Sequence, residues 1–536
     1  MPFFLKKRKS RFSLGSSGSS DASSRPARTP PTASPTVASY DSSTSSEGRK
    51  PHTRLVQLPR EADSGDSPRS VQYAPSDLAF SGLRIDKKLR VIVVGTGFAG
   101  LSAAIACARQ GFAVTVLERS SGISPHGDSI LFGSNASKLL MRWGVGKEMY
   151  GQAASKGGWW LFKDKEGERI WHENVGEFSA KYGAPILQGR RAAFLGSLGV
   201  EGRLLGVQIR LDSEVVKYWD AEDDPAVVLR GGEVVRGDVI IAADGVHSVA
   251  RQLLAPRDRP AKQRKPSGYS IHRSAISAEA VAQDPLVSHL LDGQIRTWLG
   301  PDSHVCLYPM DNGRSLAFTF THRDAGHSAS LDWRDRKPID EVLSSLHNWD
   351  PVLQQAIGYF PTSLHWEILD EPPEEEWISE GGKASLSLLP FSSLLRICFV
   401  GDSVHGMMPT SFQGGSQAVE DGATIALCLA LAGGDADGVG LALETFQRMR
   451  RARVEEAQAL GRKQQDAWHR YTTTSPRPPP NSLRPISFDL YDHDAEASAI
   501  SHFARYARQV DPSFHSQRAW LERAAKKAGL RVVTKN

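Results

Sequence analysis

The sequence predicts an α/β fold built on a Rossmann-like βαβ unit, with a disordered N-terminal tail before it and helices at its C-terminal end. Three observations predict it. An apolar run, a glycine-rich turn, a helical run and a second apolar run follow one another over residues 89–117. Short apolar runs recur at Ile209–Leu211, Val227–Leu229, Val239–Ala242, Ser315–Phe320 and Leu395–Val400, each of strand length. Helix-period runs follow at Ser416–Ala432 and Leu441–Leu460.

Residues 1–86 are rich in Ser, Thr, Pro, Arg and Asp with no sustained apolar period, so they bury too little surface to offset their ordering entropy and are expected to be disordered. The tail carries 13 of the 65 basic and 8 of the 60 acidic residues, leaving 52 of each in the remainder. The net charge of +5 therefore belongs to the tail, and the folded part offers no basic groove for nucleic acid. The first residues are basic and free of acid until Asp21. They read as a solvated tail on a cytoplasmic protein, with an organelle presequence or a nuclear signal at Lys6–Lys9 as the alternative.

The other bulk features are those of a globular protein of two intertwined domains. Hydrophobic residues make up 40% and charged residues 23% of 536, and the best apolar window, Ala423–Leu431, is far short of the ~18 residues of a membrane span. Cys107, Cys306, Cys398 and Cys428 are scattered without a CxxC pair or metal-ligand spacing. A reducing compartment and no metal site are expected.

Order is expected from Lys87. A strand at Leu89–Val94 leads through Gly95-Thr-Gly97-Phe-Ala-Gly100 into a helix at Gly97–Gln110 and a second strand at Ala113–Leu117. Gly95 permits the tight turn, Gly97 lets backbone approach a pyrophosphate, and Gly100 lets helix and strand pack closely. The helix N-terminus supplies amides and positive potential for the phosphates. Glu118 ends the second strand, 18 residues after Gly100, where a carboxylate accepts bonds from ribose hydroxyls. An adenine dinucleotide is the implied ligand, without a 2′-phosphate.

Two later motifs follow apolar strands. Ala243-Asp244-Gly245-Val-His-Ser248-Val-Ala-Arg251 begins as a helix N-cap does. Gly401-Asp402 ends a third strand and runs on through Pro409 and Gln413-Gly414-Gly415 to Glu420-Asp421-Gly422. Asp402 at a strand end suits the ribityl hydroxyls of a flavin. A helix opened by Gly414 and Gly415 would set its positive end beside the isoalloxazine ring. Shorter helices are expected at Ser137–Trp143 and Ile339–Leu346, and a Pro-rich break at Ser475–Pro485 precedes a last one at Asp494–Gln509.

Together these residues resemble the group A flavin monooxygenases, the aromatic hydroxylases with a p-hydroxybenzoate hydroxylase-like fold, over about Leu89 to Phe503. Gly127-Asp-Ser-Ile130 through Asn135-Ala136, Trp298-Leu-Gly-Pro301 through Tyr308-Pro309, and Leu490-Tyr-Asp-His-Asp-Ala-Glu496 look like the fungal salicylate hydroxylase-like branch. Asp128 and Ser129 depart from its usual small Ala-Gly pair, and Ser134 stands where proline is usual. The resemblance implies an FAD-binding domain in two parts, 87–265 and 391–465, interleaved with a substrate-binding sheet at 266–390 and followed by a linker and helical extension at 466–536.

It also implies residue roles. Asp128, Asp244, Asp402, Pro409, Gly414 and Gly415 would border FAD, as would Arg191, with Arg190 as the alternative register. NAD(P)H would visit transiently, since one dinucleotide fingerprint is present and a second is not. The reaction implied is hydroxylation of an aromatic or phenolic small molecule by O2 through a flavin C4a-hydroperoxide, in secondary metabolism or aromatic catabolism. Arg273 would anchor a carboxylate or lower the pKa of a phenol, Tyr308 would assist by hydrogen bonding, and His272 and His304 are candidate proton acceptors. The rival readings are epoxidation or another oxygenation on the same scaffold, and a flavin-bound protein without turnover.

Overall fold

The run Val91–Val94 is β-branched throughout, which favours extended backbone and suits a strand covered on both faces. In the computed structural model Arg90–Val94 is the middle strand of a five-stranded, all-parallel sheet. The order is Ile397–Phe399, Val239–Ala242, Arg90–Val94, Ala113–Leu117, Gln208–Arg210. The structure describes residues 53–57, 88–123, 129–152, 157–220, 224–254, 265–324, 336–370, 374–379, 395–473, 478–515, 522–523, 526–527 and 530–534. Asp128, the Lys6–Lys9 cluster and, apart from 53–57, the whole of residues 1–86 lie outside them.

Close packing on this sheet explains its glycines. Gly95 has a φ of +105°, and a Cβ on Gly100 would lie 2.0 Å from the Gly95 carbonyl oxygen. The helix Phe98–Arg109, buried along most of its length, lies against Gly414–Leu431. At their crossing a Cβ on Gly422 would meet the Ala103 nitrogen at 2.5 Å. A methyl at Gly100 or Gly422 therefore forces backbone apart rather than filling space.

A second sheet has eight strands in the order Arg336–Pro338, Thr362–Asp370, Lys265–Ser277, Ser315–Arg323, Ser303–Met310, Ile295–Gly300, Trp159–Lys163, Arg169–Glu173. Neighbours are antiparallel except Ile295–Gly300 with Trp159–Lys163, which are parallel. Two of its strands thus come from the stretch 87–265 that the sequence assigned to the first domain. Their run Trp159-Trp-Leu-Phe162 is apolar enough for either sheet, and only long-range pairing decides which. One face of this sheet covers the cavity described below, and the other packs on a separate apolar cluster around Phe318, Phe320 and Trp349.

Several elements exceed what local pattern supports. The helix Val439–Arg470 runs past the expected end at Leu460, carried by buried Gln464, Gln465, Trp468 and His469 rather than by an apolar stripe. Arg191–Leu204 is a helix that three internal glycines conceal from propensity. Thr53–Gln57, inside the expected tail, is a strand paired antiparallel with Leu530–Thr534. Its partner lies at the far end of the chain, so no local signal marks it, and the expected C-terminal helical extension ends in a strand for the same reason. Among the described residues no helix is long and apolar enough to cross a membrane.

Candidate active site

The parallel sheet, the mixed sheet and the loop after Phe399 enclose a cavity of about 280 Å³. Gly97, Arg191, Arg273, Tyr308, Asp402, Pro409, Gly414 and Gly415 all line it. These eight were singled out from separate stretches of sequence, and the fold brings them together. Asp244 does not line it, although its neighbours Ala243 and Gly245 do.

Two helices point their N-termini into this space. Phe98–Arg109 starts after Gly97 with no side-chain cap and no acidic residue in its first turn. Gly414–Leu431 starts after Gln413 in the same way. The first amides of each helix have no intrahelical acceptor, and a Cβ on Gly97 or Gly414 would meet nothing within 4 Å. Open space before uncapped, positive helix ends fits an anionic group at each. The pyrophosphate of FAD and the pyrimidine edge of its ring answer to that description.

Around the turn, Glu118 accepts from the Thr96 amide at 2.9 Å, the Thr96 hydroxyl at 2.6 Å and the Ser120 amide at 2.9 Å. Burial pushes its pKa up, but these hydrogen bonds outweigh it and hold the carboxyl below its usual value. Ser248 caps the helix Val249–Leu254, its hydroxyl accepting from the Arg251 amide at 3.0 Å, and Asp244 adds a bond from the Ala250 amide at 3.0 Å. The other Asp244 oxygen, Oδ1, is buried without a hydrogen-bond partner, which leaves an acceptor for a ligand hydroxyl beside Gly245. The two arginine registers also separate. Arg190 is bound to Asp311 and Ser315, whereas Arg191 lies over the Phe98 ring at 4.8 Å and faces the cavity.

The mixed sheet supplies the opposite wall. Alternation along Lys265–Ser277 turns Ile271 and Arg273 into the cavity and sends His272 to the other face. His272 is therefore not placed to accept a proton from anything in the cavity. Arg273 donates to the Ser129 carbonyl at 2.7 Å and meets its hydroxyl at 3.3 Å. That contact fixes the guanidinium and ties the sheet to the strand Ser129–Phe132. Tyr308 is buried and its hydroxyl lies 3.3 Å from that of Thr319. Burial, then the neighbouring Cys306, push its pKa well above the usual phenol value. Tyr308 thus stays a neutral phenol and a hydrogen-bond donor.

His304 does line the cavity, with Nδ1 2.8 Å from Nε2 of His469. Burial and the neighbouring imidazole hold its pKa well below the usual value, and burial pushes His469 down to about 4. Both rings are neutral near pH 7. The loop that closes the cavity holds Phe412 at a left-handed φ of +50°, a strained geometry for a bulky side chain.

Behind the cavity lies a buried ionic network that sequence reasoning did not resolve. Asp421 accepts from the Gly401 amide at 2.8 Å, His405 Nε2 at 2.6 Å and Arg450 Nε at 2.8 Å. Glu420 accepts from Arg450 at 2.6 Å, from Arg453 at 2.7 and 2.8 Å, and from Asn135 at 2.6 Å. Burial alone would raise both carboxyls, yet the opposed cations hold both below their usual values. The network fixes the turn carrying Asp402 to the helices behind it. Arg450 and Arg453 sit in a run, Arg448-Met-Arg450-Arg451-Ala-Arg453, that reads locally as a solvated face. The spacing of three between them, which puts both on one side of a helix, was the available signal.

The comparisons with known proteins agree with this geometry. Residues 88–460 match the FAD binding domain family. The FAD-dependent monooxygenase nodY2 of Hypoxylon pulicicidum is 29% identical over 406 residues, covering 69% of this chain and 81% of that protein. The crystal structure of CtdE in complex with FAD and a substrate superposes with a TM-score of 0.69 at 23% identity, over 79% of this chain and 100% of the other. A salicylate hydroxylase substrate complex gives 0.62 at 21% identity, over 78% of this chain and 98% of its own. The chain belongs to the FAD binding domain family and is an FAD-dependent monooxygenase.

Proposed function

We propose that this monooxygenase hydroxylates an aromatic or phenolic small molecule, with NAD(P)H as the transient reductant. The observation that carries the reading is the pairing of a fixed guanidinium, Arg273, with a neutral phenol, Tyr308, on one wall of a cavity whose other wall presents two helix N-termini. FAD, when bound, supplies the redox chemistry with O2. What the chain does around it follows from its own groups.

Gly97, Arg191 and the first turn of Phe98–Arg109 would hold the phosphates, and the N-terminus of Gly414–Leu431 would favour negative charge on the flavin. Arg273 binds a substrate carboxylate or phenolate and lowers the pKa of a phenol beside it, which makes the ring carbon more nucleophilic. Tyr308 donates a hydrogen bond that orients the substrate. Of the two candidate histidines only His304 lines the cavity, so it is the one placed to accept a proton. Met407, Met408 and Phe412 give the site apolar surface that excludes water. A cytoplasmic location belongs to the same reading, supported by four buried free thiols.

The test is oxygen uptake and product formation by the purified yellow protein over a panel of phenolic acids and polyketide-like phenols. Arg273→Ala should keep its FAD and lose coupled hydroxylation by roughly 100-fold, the scale of a lost electrostatic contact at a reacting centre. Normal hydroxylation by Arg273→Ala would overturn the assignment.

A further inference from the structure

We propose that His272, His322 and His365 form a binding site for a divalent transition-metal ion, zinc foremost, on the face of the mixed sheet turned away from the cavity. Among the described residues these three offer ligand atoms that all lie within 4.8 Å of one another. Strand register brings them together. His272 pairs directly with His365, and His322 pairs with Ser270, two residues along the same strand. All three side chains therefore project from one face.

The rings lie close together, stacked rather than converging on one point. His272 and His365 stack with centroids 3.9 Å apart and planes within 5°, and His322 lies 5.3 Å from His272. His272 and His365 are almost wholly buried and His322 is half-buried, so the group lies just beneath the surface. Two of the three have the outer contacts that fix a ligating histidine. His272 Nδ1 is 2.8 Å from the Ser363 hydroxyl, and His322 Nδ1 is 3.0 Å from the Arg323 carbonyl. A carbonyl only accepts, so His322 carries its proton on Nδ1 and keeps its lone pair on Nε2. That Nε2 is buried with no hydrogen-bond partner, an unmet acceptor that a metal would satisfy.

Neutral imidazole is the form that binds metal. Asp324 accepts from the hydroxyl of Ser270, the strand partner of His322, so a carboxylate lies near the group. Three nitrogens without an oxygen ligand select zinc, copper or nickel over calcium and magnesium. Tetrahedral zinc at ~2.0–2.1 Å from each nitrogen requires the ligand atoms to close in from the observed spacing. Rotation of the half-buried His322 provides part of that movement, one ring of the stacked His272–His365 pair must turn with it, and water completes the shell.

The experiment uses the full-length FAD-bound protein, stripped with a chelator and desalted. Zn2+ titration by calorimetry should give one site per chain. Co2+ should give absorption beyond the flavin band, reporting tetrahedral nitrogen ligation. His322→Gln and His365→Gln should each weaken Zn2+ binding about 100-fold and leave FAD content unchanged. If wild type binds no more Zn2+ than His322→Gln, or if both variants bind as wild type does, the proposal fails. Should His365→Gln not fold, the half-buried His322→Gln carries the test alone.

Discussion

Replacing Arg450 by methionine keeps much of the side-chain volume and removes one buried cation. Arg450 is 2% exposed and donates to Asp421 Oδ1 at 2.8 Å, Glu420 Oε2 at 2.6 Å and Gln417 Oε1 at 2.6 Å. Glu420 keeps Arg453 and Asn135 after the change, so the deficit falls mainly on Asp421, left with His405 and the Gly401 amide. Removing one partner of a buried ion pair costs about 3–5 kcal/mol. Unfolding entropy of ~2.1 cal/mol/K per residue over roughly 450 residues converts about 4 kcal/mol into a Tm drop of about 4 °C. Both carboxyls have depressed pKa values in the folded protein. Their contribution is therefore present above the unfolded value near ~4 and is lost as pH falls through the folded value. The assay is thermal unfolding of the holoprotein at neutral pH and in acid, with FAD release followed by fluorescence. A drop under about 1 °C at neutral pH, or a gap between wild type and variant that widens in acid, would refute the reasoning.

Other substitutions separate binding from folding. Gly97→Val should give soluble but colourless protein, because its Cβ meets nothing in the protein and projects toward the space for pyrophosphate. Gly100→Val should fail to fold, since its Cβ would lie 2.0 Å from a carbonyl oxygen, and comparable yields of the two variants would contradict this. Glu118→Gln should weaken FAD affinity roughly 10-fold in a fluorescence titration, through loss of charge-assisted bonds to Thr96 and Ser120 and of the one it would make to the ribose. His469 is buried with a pKa near 4, while the unfolded chain takes up a proton near ~6.5. Wild-type stability should thus be full above that value and fall progressively toward pH 4. His469→Phe should flatten that part of a Tm-against-pH profile, and an unchanged slope would count against it.

The cofactor half of the site was legible because each motif is a local solution to a local problem. Gly95–Gly100 make a turn, Asp402 ends a strand, and Gly414 opens a helix, so each announces itself over a few residues. The substrate wall is different in kind. Arg273 and Tyr308 reach the cavity through strand pairing, and only the resemblance placed them. His272 shows the limit: its neighbour in sequence lines the cavity and it does not, because a one-residue step reverses the face. Arg450 was hidden by the opposite problem, a basic run that resembles surface until Glu420 and Asp421 fold over it. The strands Trp159–Lys163 and Arg169–Glu173 carry no local mark of which sheet they join.

The placement of Ile397–Phe399 has a consequence for how the protein is made. This strand covers Val239–Ala242 in the parallel sheet, and the loop after it closes the cavity. A ribosome adding about 5–20 residues per second reaches this strand many seconds after the one it must cover. During that interval the nascent sheet has an unpaired edge, Val239–Ala242, that is apolar throughout and prone to the wrong partner. FAD has no complete pocket to enter until the turn at Gly401–Asp402 has emerged. Holoprotein yield should accordingly depend on what protects that edge during synthesis, and a slower codon usage just before residue 395 should lower it.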